Sequence, residues 1–316
     1  MKILAWNARG LGNPRDIRHL CDLLKKEAPD VVFLEETRLS ARVVESCKFK
    51  FGFQNCLAVS TNGRKGGIAL YWGRDVALSI INYSFIHFDV VVSDDSVVGG
   101  HWFLTAIYGL PETHLCSRTW SLLRSLRRSN GDAWLVLGDL NETMFHHEKQ
   151  GGNPKPDSQI AAFRDVVEEC ELRDLGFSGY KFTWSNRREG HAYVNEQLDR
   201  FLANSSWWNF YPQAKVIHGL VAYSDHLPIW IELEGDTGIP VKKKKLFRFE
   251  EMWIGNSQCE AIIKDQWRMG HAHSSMKEVE GMIRESGVKL QLWNSNCFGH
   301  VQKKLQKSKS PLETCL

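Results

Sequence analysis

The stretch MKILAWNARGLGNPRDIRHLCDLLKKEAPDVVFLEETR, Met1 to Arg38, holds two short apolar runs, Met1 to Trp6 and Val31 to Glu35. Between them Ile17, Leu20, Cys21 and Leu24 recur at the three-and-four spacing of one helical face. Asn13 stands where a helix is capped, Pro14 falls in the first turn and Pro29 lies past the end. The order is strand, helix, strand. The same grammar returns in Leu115, Leu122, Leu123 and Leu126, which lead past Asn130-Gly131 into AWLVLGD. Gly67 to Trp72, Val76 to Val92 and Trp102 to Tyr108 read as β-rich, and Ile160, Phe163, Val167 and Cys170 mark a third helix after GGNPKPD. Helices and strands mixed in this way predict an α/β (α+β) chain whose sheets are covered by helices, rather than an all-β sandwich.

Composition bounds the rest. A chain of 316 residues that is 43% hydrophobic can bury a sizeable core, as one large domain or two small ones. No apolar run approaches the roughly 18 residues of a membrane span, so a soluble, intracellular chain is expected, with no membrane partner. Eight cysteines without a CxxC pair argue against a zinc module and against a disulfide framework. The turn cluster Gly235 to Gly238 precedes Pro240 and the run Lys242 to Lys245, so a boundary is placed there: residues 1–234 form one domain, and 235–316 a basic linker with a helical segment. From Lys242 onward there are 14 Lys and Arg against 8 Asp and Glu; the preceding residues carry 26 against 29. An electrostatic case for nucleic acid would rest on that tail, although a lysine run is equally a solvated linker or a nuclear-import patch. In the tail Trp253, Ile262, Ile263, Trp267, Met282, Ile283, Leu290, Leu292 and Trp293 supply apolar faces.

Polar residues gather at the strand ends. Asn7 closes the first strand, Glu36 the second, Tyr108 another, and Asp139 with Asn141 another; Asp199 follows a β-like stretch, and Asp225-His226 precedes the last strand. Singly, each has an ordinary reading. Glu36 could cap a helix, GDLNE could be a turn, Asp199 could pair with Arg200, and a lone histidine is more often structural than catalytic. Converging on one sheet edge, these carboxylates would call for a hard divalent cation.

Seven motifs come in the order found in the endonuclease/exonuclease/phosphatase superfamily: Trp6-Asn7, LEET (34–37), IYGLPE (107–112), GDLNE (138–142), TWSN (183–186), LDRFLAN (198–204) and SDHLPI (224–229). More narrowly, WNARGL, TWSNRREG and LDRFLAN resemble the endonuclease domain of plant LINE-type non-LTR retrotransposons. FRFEEMW and LWNSNCFGHVQKKL resemble the connector before the reverse transcriptase of those elements, which is itself lacking from this sequence. The resemblance implies a DNase I-like four-layer sandwich, two packed β-sheets flanked by helices, that hydrolyses DNA phosphodiesters and leaves a 3′-hydroxyl. The partner is then expected to be DNA and the chain a monomer, and residence in the nucleus, otherwise the cytoplasm, is inferred from that substrate and from Lys242 to Lys245. The resemblance also implies Glu36 as principal ligand for Mg²⁺ or Mn²⁺, with Asn7 and Asp225 nearby, an oxygen set unsuited to zinc.

By the same resemblance Tyr108, Asp139, Asn141, Asp199, Asp225 and His226 are catalytic. His226 is either the base or a phosphate clamp, and in the second case Asp139 activates the water. Neighbours on an extended strand face opposite ways, so the carboxylate that meets His226 is expected to be Asp199 rather than Asp225. Thr183, Trp184, Arg187, Arg188 and Ser224 are expected to face DNA, or, for Trp184, to anchor a hairpin core. Arg9, Gln197 and Glu112 depart from the apurinic-endonuclease pattern, which favours plain nicking over abasic-site preference. The rival readings are a phosphatase or phospholipase of the same superfamily and an idle nucleic-acid-binding relic.

Overall fold

Strand Lys2–Asn7 is buried from Ile3 to its end, and the two faces go to different neighbours. Ile3 and Ala5 join one core cluster, whereas Leu4 and Trp6 join another. A strand buried on both sides lies in a sheet covered on both sides. The chain, described by a computed structural model over residues 1–60, 66–95, 97, 99–129, 131–220, 223–233, 249, 253–268 and 276–297, divides into two compact units, Met1–Gly238 and Ile239–Leu316.

Among the described residues of the first unit, one sheet has seven strands in the order Ser178–Gly179, Lys215–His218, Ile229–Glu232, Lys2–Asn7, Val31–Glu35, Ile68–Trp72 and Asn55–Val59. The second has six: Arg173–Asp174, Asp199–Ala203, Trp134–Asp139, His101–Ile107, His87–Ser93 and Leu78–Tyr83. Ile3, Phe33 and Ile231 of the first meet Phe88, Leu104, Leu135 and Phe201 of the second, which is the sandwich core. Leu20 and Leu24 of helix Pro14–Glu27 cover the outer face of the first sheet through Leu4, Trp6, Val32 and Leu34. Leu123 of helix Cys116–Ser125 and Phe163, Val166 and Val167 of helix Asp157–Glu169 cover the second through Trp134 and Val136. The result is four layers, with each fully buried aliphatic or phenyl side chain contributing roughly 1.5–3 kcal/mol.

The first helix forms for the reasons its sequence suggests. Asn13 Oδ1 accepts the N–H of Arg15 at 2.9 Å, Pro14 occupies the first turn, and Ala28, left-handed at φ 47°, closes the end by donating to Leu24 O at 2.9 Å. The β-rich stretch from Val76 to Val92 divides into strands Leu78–Tyr83 and His87–Ser93. Asp199 follows the short strand Asn195–Glu196, as expected, and itself begins the next. That strand runs antiparallel to Trp134–Asp139 with Asp199 opposite Asp139, so the start of one lies beside the end of the other.

In the second unit, helices Ser257–Arg268 and Met276–Cys297 gather Trp253, Cys259 and Leu290 into a small core, with Ile262, Ile263 and Trp293 packed on it. Trp267, Ile283 and Leu292, read as apolar-face residues, are exposed instead. Lys242 to Lys245 and Asn130 lie outside the described residues.

Gly138 brings the two sheets together at one end. At φ 130° its backbone is in a region L side chains rarely adopt, and a Cβ there would stand 2.1 Å from Ile107 O and 2.8 Å from Glu35 Oε1. Gly138→Ala is therefore expected to destabilise the protein by about 2 kcal/mol or more, measured as a lowered urea midpoint at unchanged m-value.

Candidate active site

Strands Lys2–Asn7, Val31–Glu35, His101–Ile107 and Trp134–Asp139 all end at one rim of the sandwich, where Asp199–Ala203 begins. Buried hydrogen bonds on Asp139 help bind the sheets there. Glu35, fully buried, accepts the N–H of Asp139 at 3.0 and 3.2 Å, and Asn7 Nδ2 donates to Asp139 Oδ2 at 3.0 Å. The same Asn7 amide donates to Glu36 Oε1 at 3.3 Å. Glu36 and Asp139, 103 positions apart in the sequence, thus share one donor.

Glu36 follows its strand with φ 46°, and Arg9, Arg38, Asn141 and Arg187 at or near the rim are also left-handed. Non-glycine residues adopt this conformation at a cost and persist in it where surrounding contacts hold them. Glu36 is held by Tyr108 OH at 3.0 Å and Arg38 Nη2 at 2.6 Å. Burial opposes its ionisation, but hydrogen bonds from Arg38, Asn7 and Tyr108 outweigh burial and keep the carboxyl below its ordinary range. Burial, then the charges of Glu36 and Asp139, push the Tyr108 phenol far up, so it stays a neutral donor. Asn141 is fixed by its N–H on Asp139 Oδ1 at 3.0 Å and by Nδ2 on Gly109 O at 2.8 Å.

His226 lies between two carboxylates. Nδ1 is 2.9 Å from Asp199 Oδ2, and Nε2 is 3.7 Å from Asp139 Oδ2. Burial would strip the ring of its proton, but the charges of Asp199 and Asp139 prevail and raise it to about 9. Asp139 is driven up by burial, pulled back by the His226 charge, and comes to about 7. Ser224 Oγ donates to Asn7 O at 2.7 Å and accepts the His226 N–H at 3.2 Å, while Trp6 Nε1 donates to His226 O at 3.1 Å. These bonds pin SDHLP to the end of the first strand.

The neighbour of His226, Asp225, points elsewhere. Trp184 Nε1 donates to Asp225 Oδ2 at 2.9 Å, and Arg9 Nη1 forms an ion pair with the same oxygen. Its other oxygen, Oδ1, is buried without a hydrogen-bond partner. A cleft of about 320 Å³ lined by Arg9, Asp16, Asn186, Arg187, Tyr223 and Asp225 opens beside it. The oxygens at the rim that could serve a hard divalent ion are those of the ionised Glu36 and the side-chain oxygen of Asn7, which accepts the Arg9 N–H at 3.1 Å, whereas Asp225, expected beside them, is turned towards Trp184 and Arg9. Ligand atoms of Asp139, Asp199 and His226 also lie within 4.8 Å of one another, but the Asp199 and His226 atoms already bond each other.

Two residues expected to face DNA do not. Thr183 is 0% exposed, and its Oγ1 accepts the N–H groups of Leu198 and Asp199 at 3.0 Å each. Ser224 is 3% exposed and saturated as described. Both sit where TWSN and SDHL pair through Ser185 N to Asp225 O and Leu227 N to Thr183 O, so their small side chains turn inward. Trp184 is half-buried; Arg188 is exposed; Arg187 is exposed and holds Tyr223 O at 2.9 Å and Ser224 O. Arg200 does not pair with Asp199 but, from the opposite face of the strand, with Glu148 and Asp174, each at 2.8 Å. Glu35 and Arg38 carry weight in this site that no reading of the sequence assigned to them. The buried run VVFLE marks Glu35 as odd, but only its cross-sheet contact says why.

Residues 4–226 match the Endonuclease/Exonuclease/phosphatase family, and the chain belongs to it, a family of metal-dependent hydrolases of ester bonds. Solved structures share the DNase I-like fold. The 3′-5′ exonuclease NExo from Neisseria meningitidis is 17% identical with TM-score 0.54, over 73% of this chain and 99% of that one. The endonuclease domain of TRAS1, a telomere-specific non-LTR retrotransposon, is 14% identical with TM-score 0.53, over 73% and 97%. The AP endonuclease LMAP from Leishmania major is 16% identical with TM-score 0.57, over 73% and 86%. No curated protein sequence matches the chain. Among the described residues no helix is long and apolar enough to cross a membrane.

Because Asp199 is the largest cause raising His226, the ring should titrate near 9 by NMR and fall towards 6.5 in Asp199→Asn. A pKa raised on folding contributes stability that is complete below pH 6.5 and disappears as pH rises through about 9. The wild type should lose stability across that window, and Asp199→Asn should lose much less.

Proposed function

We propose that this chain is a divalent-metal-dependent endonuclease that nicks DNA and leaves a 3′-hydroxyl and a 5′-phosphate. The observation that carries the reading is the series of contacts from Glu36 through Asn7 and Asp139 to His226 and Asp199, hydrogen-bonded except at the 3.7 Å ion-pair step from Asp139 to His226, which sets an ionised carboxylate, a proton acceptor and a charged imidazole around one point of the rim. Glu36, with Asn7, would hold Mg²⁺ or Mn²⁺. Such a cation, when bound, supplies Lewis-acid polarisation of a phosphoryl oxygen.

The residues divide the remaining work by their charge. His226, protonated below about 9 and oriented by Asp199, clamps an anionic phosphoryl oxygen, which leaves Asp139 to take the proton of the attacking water. Asn141 and Tyr108 position the phosphate and its nucleophile. The water oxygen bonds to phosphorus in line as the bond to the 3′-oxygen breaks. Arg187, Arg188 and the half-buried Trp184 line the approach and suit backbone contacts, which carry no sequence information. The retrotransposon endonuclease among the similar structures, together with the WNARGL, TWSNRREG and LDRFLAN motifs, supports an origin in a LINE-type element, target-DNA nicking as the task and the nucleus as the place.

Nicking of supercoiled plasmid is expected with Mg²⁺ and not with EDTA. Glu36→Ala and His226→Ala should each lower it by roughly 10²-fold or more. Binding without turnover in the presence of Mg²⁺, or phosphate release from inositol polyphosphates without nicking, would contradict the proposal. The pH profile should be bell-shaped. Activity climbs as the network around Asp139 loses a proton near 7, which frees the acceptor, and declines as His226 loses its proton near 9, which removes the clamp.

A further inference from the structure

A hairpin of the second sheet carries exposed aromatics at the same rim. Strands Leu78–Tyr83 and His87–Ser93 pair antiparallel, with Tyr83 opposite Phe88, and the turn Ser84 to Ile86 joins them. The turn lies at the site end, because His87 is opposite Ile107 and Ile86 O accepts the N–H of Tyr108 at 2.8 Å. Tyr83 is 56% exposed and Phe85 60%, and Ile81, at the irregularity in the edge strand, is 46% exposed. Three large apolar side chains facing water at one tip is costly for a surface with no contact to make.

The tip is also built. His87, only 4% exposed, contacts Ser84 Oγ through Nδ1 at 2.6 Å and Asn82 Oδ1 through Nε2 at 2.7 Å, so one buried ring holds the residues on either side of Tyr83. Ser84 N donates to His87 O at 2.9 Å, and Ile86 N donates to Ser84 Oγ at 3.2 Å. The aromatics are therefore presented on a braced turn, and little conformational entropy remains to be lost when they meet a flat apolar partner.

We propose, resting on the nuclease reading above, that Tyr83 and Phe85 form a stacking platform for nucleobases of the DNA substrate. Strands lie about 4.8 Å apart, so the tip stands one to two spacings, about 5–10 Å, from the strand that delivers Tyr108 to the site. At about 3.4 Å per nucleotide along one strand, the bases it reaches lie roughly two to three nucleotides from the scissile phosphate. Every base has a face for stacking, so the platform fixes register and favours opened or distorted steps without reading sequence.

The test is Tyr83→Ser/Phe85→Ser in the full chain, with Phe49→Ser, 71% exposed on helix Lys48–Phe51 at the opposite end of the first sheet, as control. For nicking of a DNA duplex, KM should rise about tenfold or more in the double variant, with the loss in KM rather than kcat, and should not move in the control. A 2-aminopurine placed two or three nucleotides from the nick should be quenched on binding wild type and not on binding the variant. An unchanged KM with unchanged quenching overturns the platform and leaves the nuclease reading standing. A wild type that forms dimers which the double variant dissolves, with DNA affinity intact, also overturns it and assigns the tip to a second copy of the chain. A wild type that neither binds nor nicks DNA removes both readings.

Discussion

The N–H of Asp139 points across the sandwich into the carboxyl of Glu35, and the rest of the site hangs on that contact. One sheet supplies Asn7, Glu35 and Glu36; the other supplies Tyr108, Asp139 and Asp199. Packing two sheets through apolar side chains alone leaves their edges free to slide by a fraction of a residue. A buried hydrogen bond between named atoms removes that freedom, since an unsatisfied polar group there would cost about 1–3 kcal/mol. Gly138 allows the approach, because a Cβ there would stand only 2.8 Å from Glu35 Oε1 of the facing sheet. The contact carries its own penalty: burial, then the charges of Asp139 and Asp199, raise the Glu35 carboxyl well above its ordinary range.

Charge then decides what the rim can do. Glu35, Glu36, Asp139 and Asp199 stand close together, and the cations among them are His226 and Arg38. Burial and like charge push Glu35 and Asp139 up, and the charges of Asp199 and Asp139 push the imidazole of His226 up, which gives neighbouring groups opposite roles in proton transfer at neutral pH. A phosphodiester brings further negative charge into this cluster. On the proposed function the protonated His226 would answer part of it, and a metal ion held at Glu36 and Asn7 the rest.

Local rules are broken most densely where the chemistry is. Glu36 and Asn141 adopt left-handed backbone, as do Arg9 and Arg38 beside them, and Asp225 Oδ1 is buried without a partner. Such departures persist because the rigid sandwich over-determines them. Away from the rim the first helix starts as its propensities dictate, with Asn13 as cap and Pro14 in the first turn, although Ala28 at its end and Glu171 are left-handed too.

That helix, the strands on either side of it and the ordered polar residues at strand ends were legible in the sequence, because capping, periodicity and alternation act within a few residues. The seven ordered motifs made the family legible too. Four things were not. Thr183 and Ser224 read as surface groups but turn inward, because the pairing of TWSN with SDHL buries them. Asp199 follows a β-like stretch, as read, but its place at the start of a strand, opposite Asp139 in an antiparallel pair, is not visible in its neighbours. Glu35 reads as one more residue of an apolar run, and Tyr83 and Phe85 lie unmarked within the β-rich stretch from Val76 to Val92. Each of these depends on which segment lies across from which, and that is settled by the packing of two sheets rather than by any residue's neighbours in sequence.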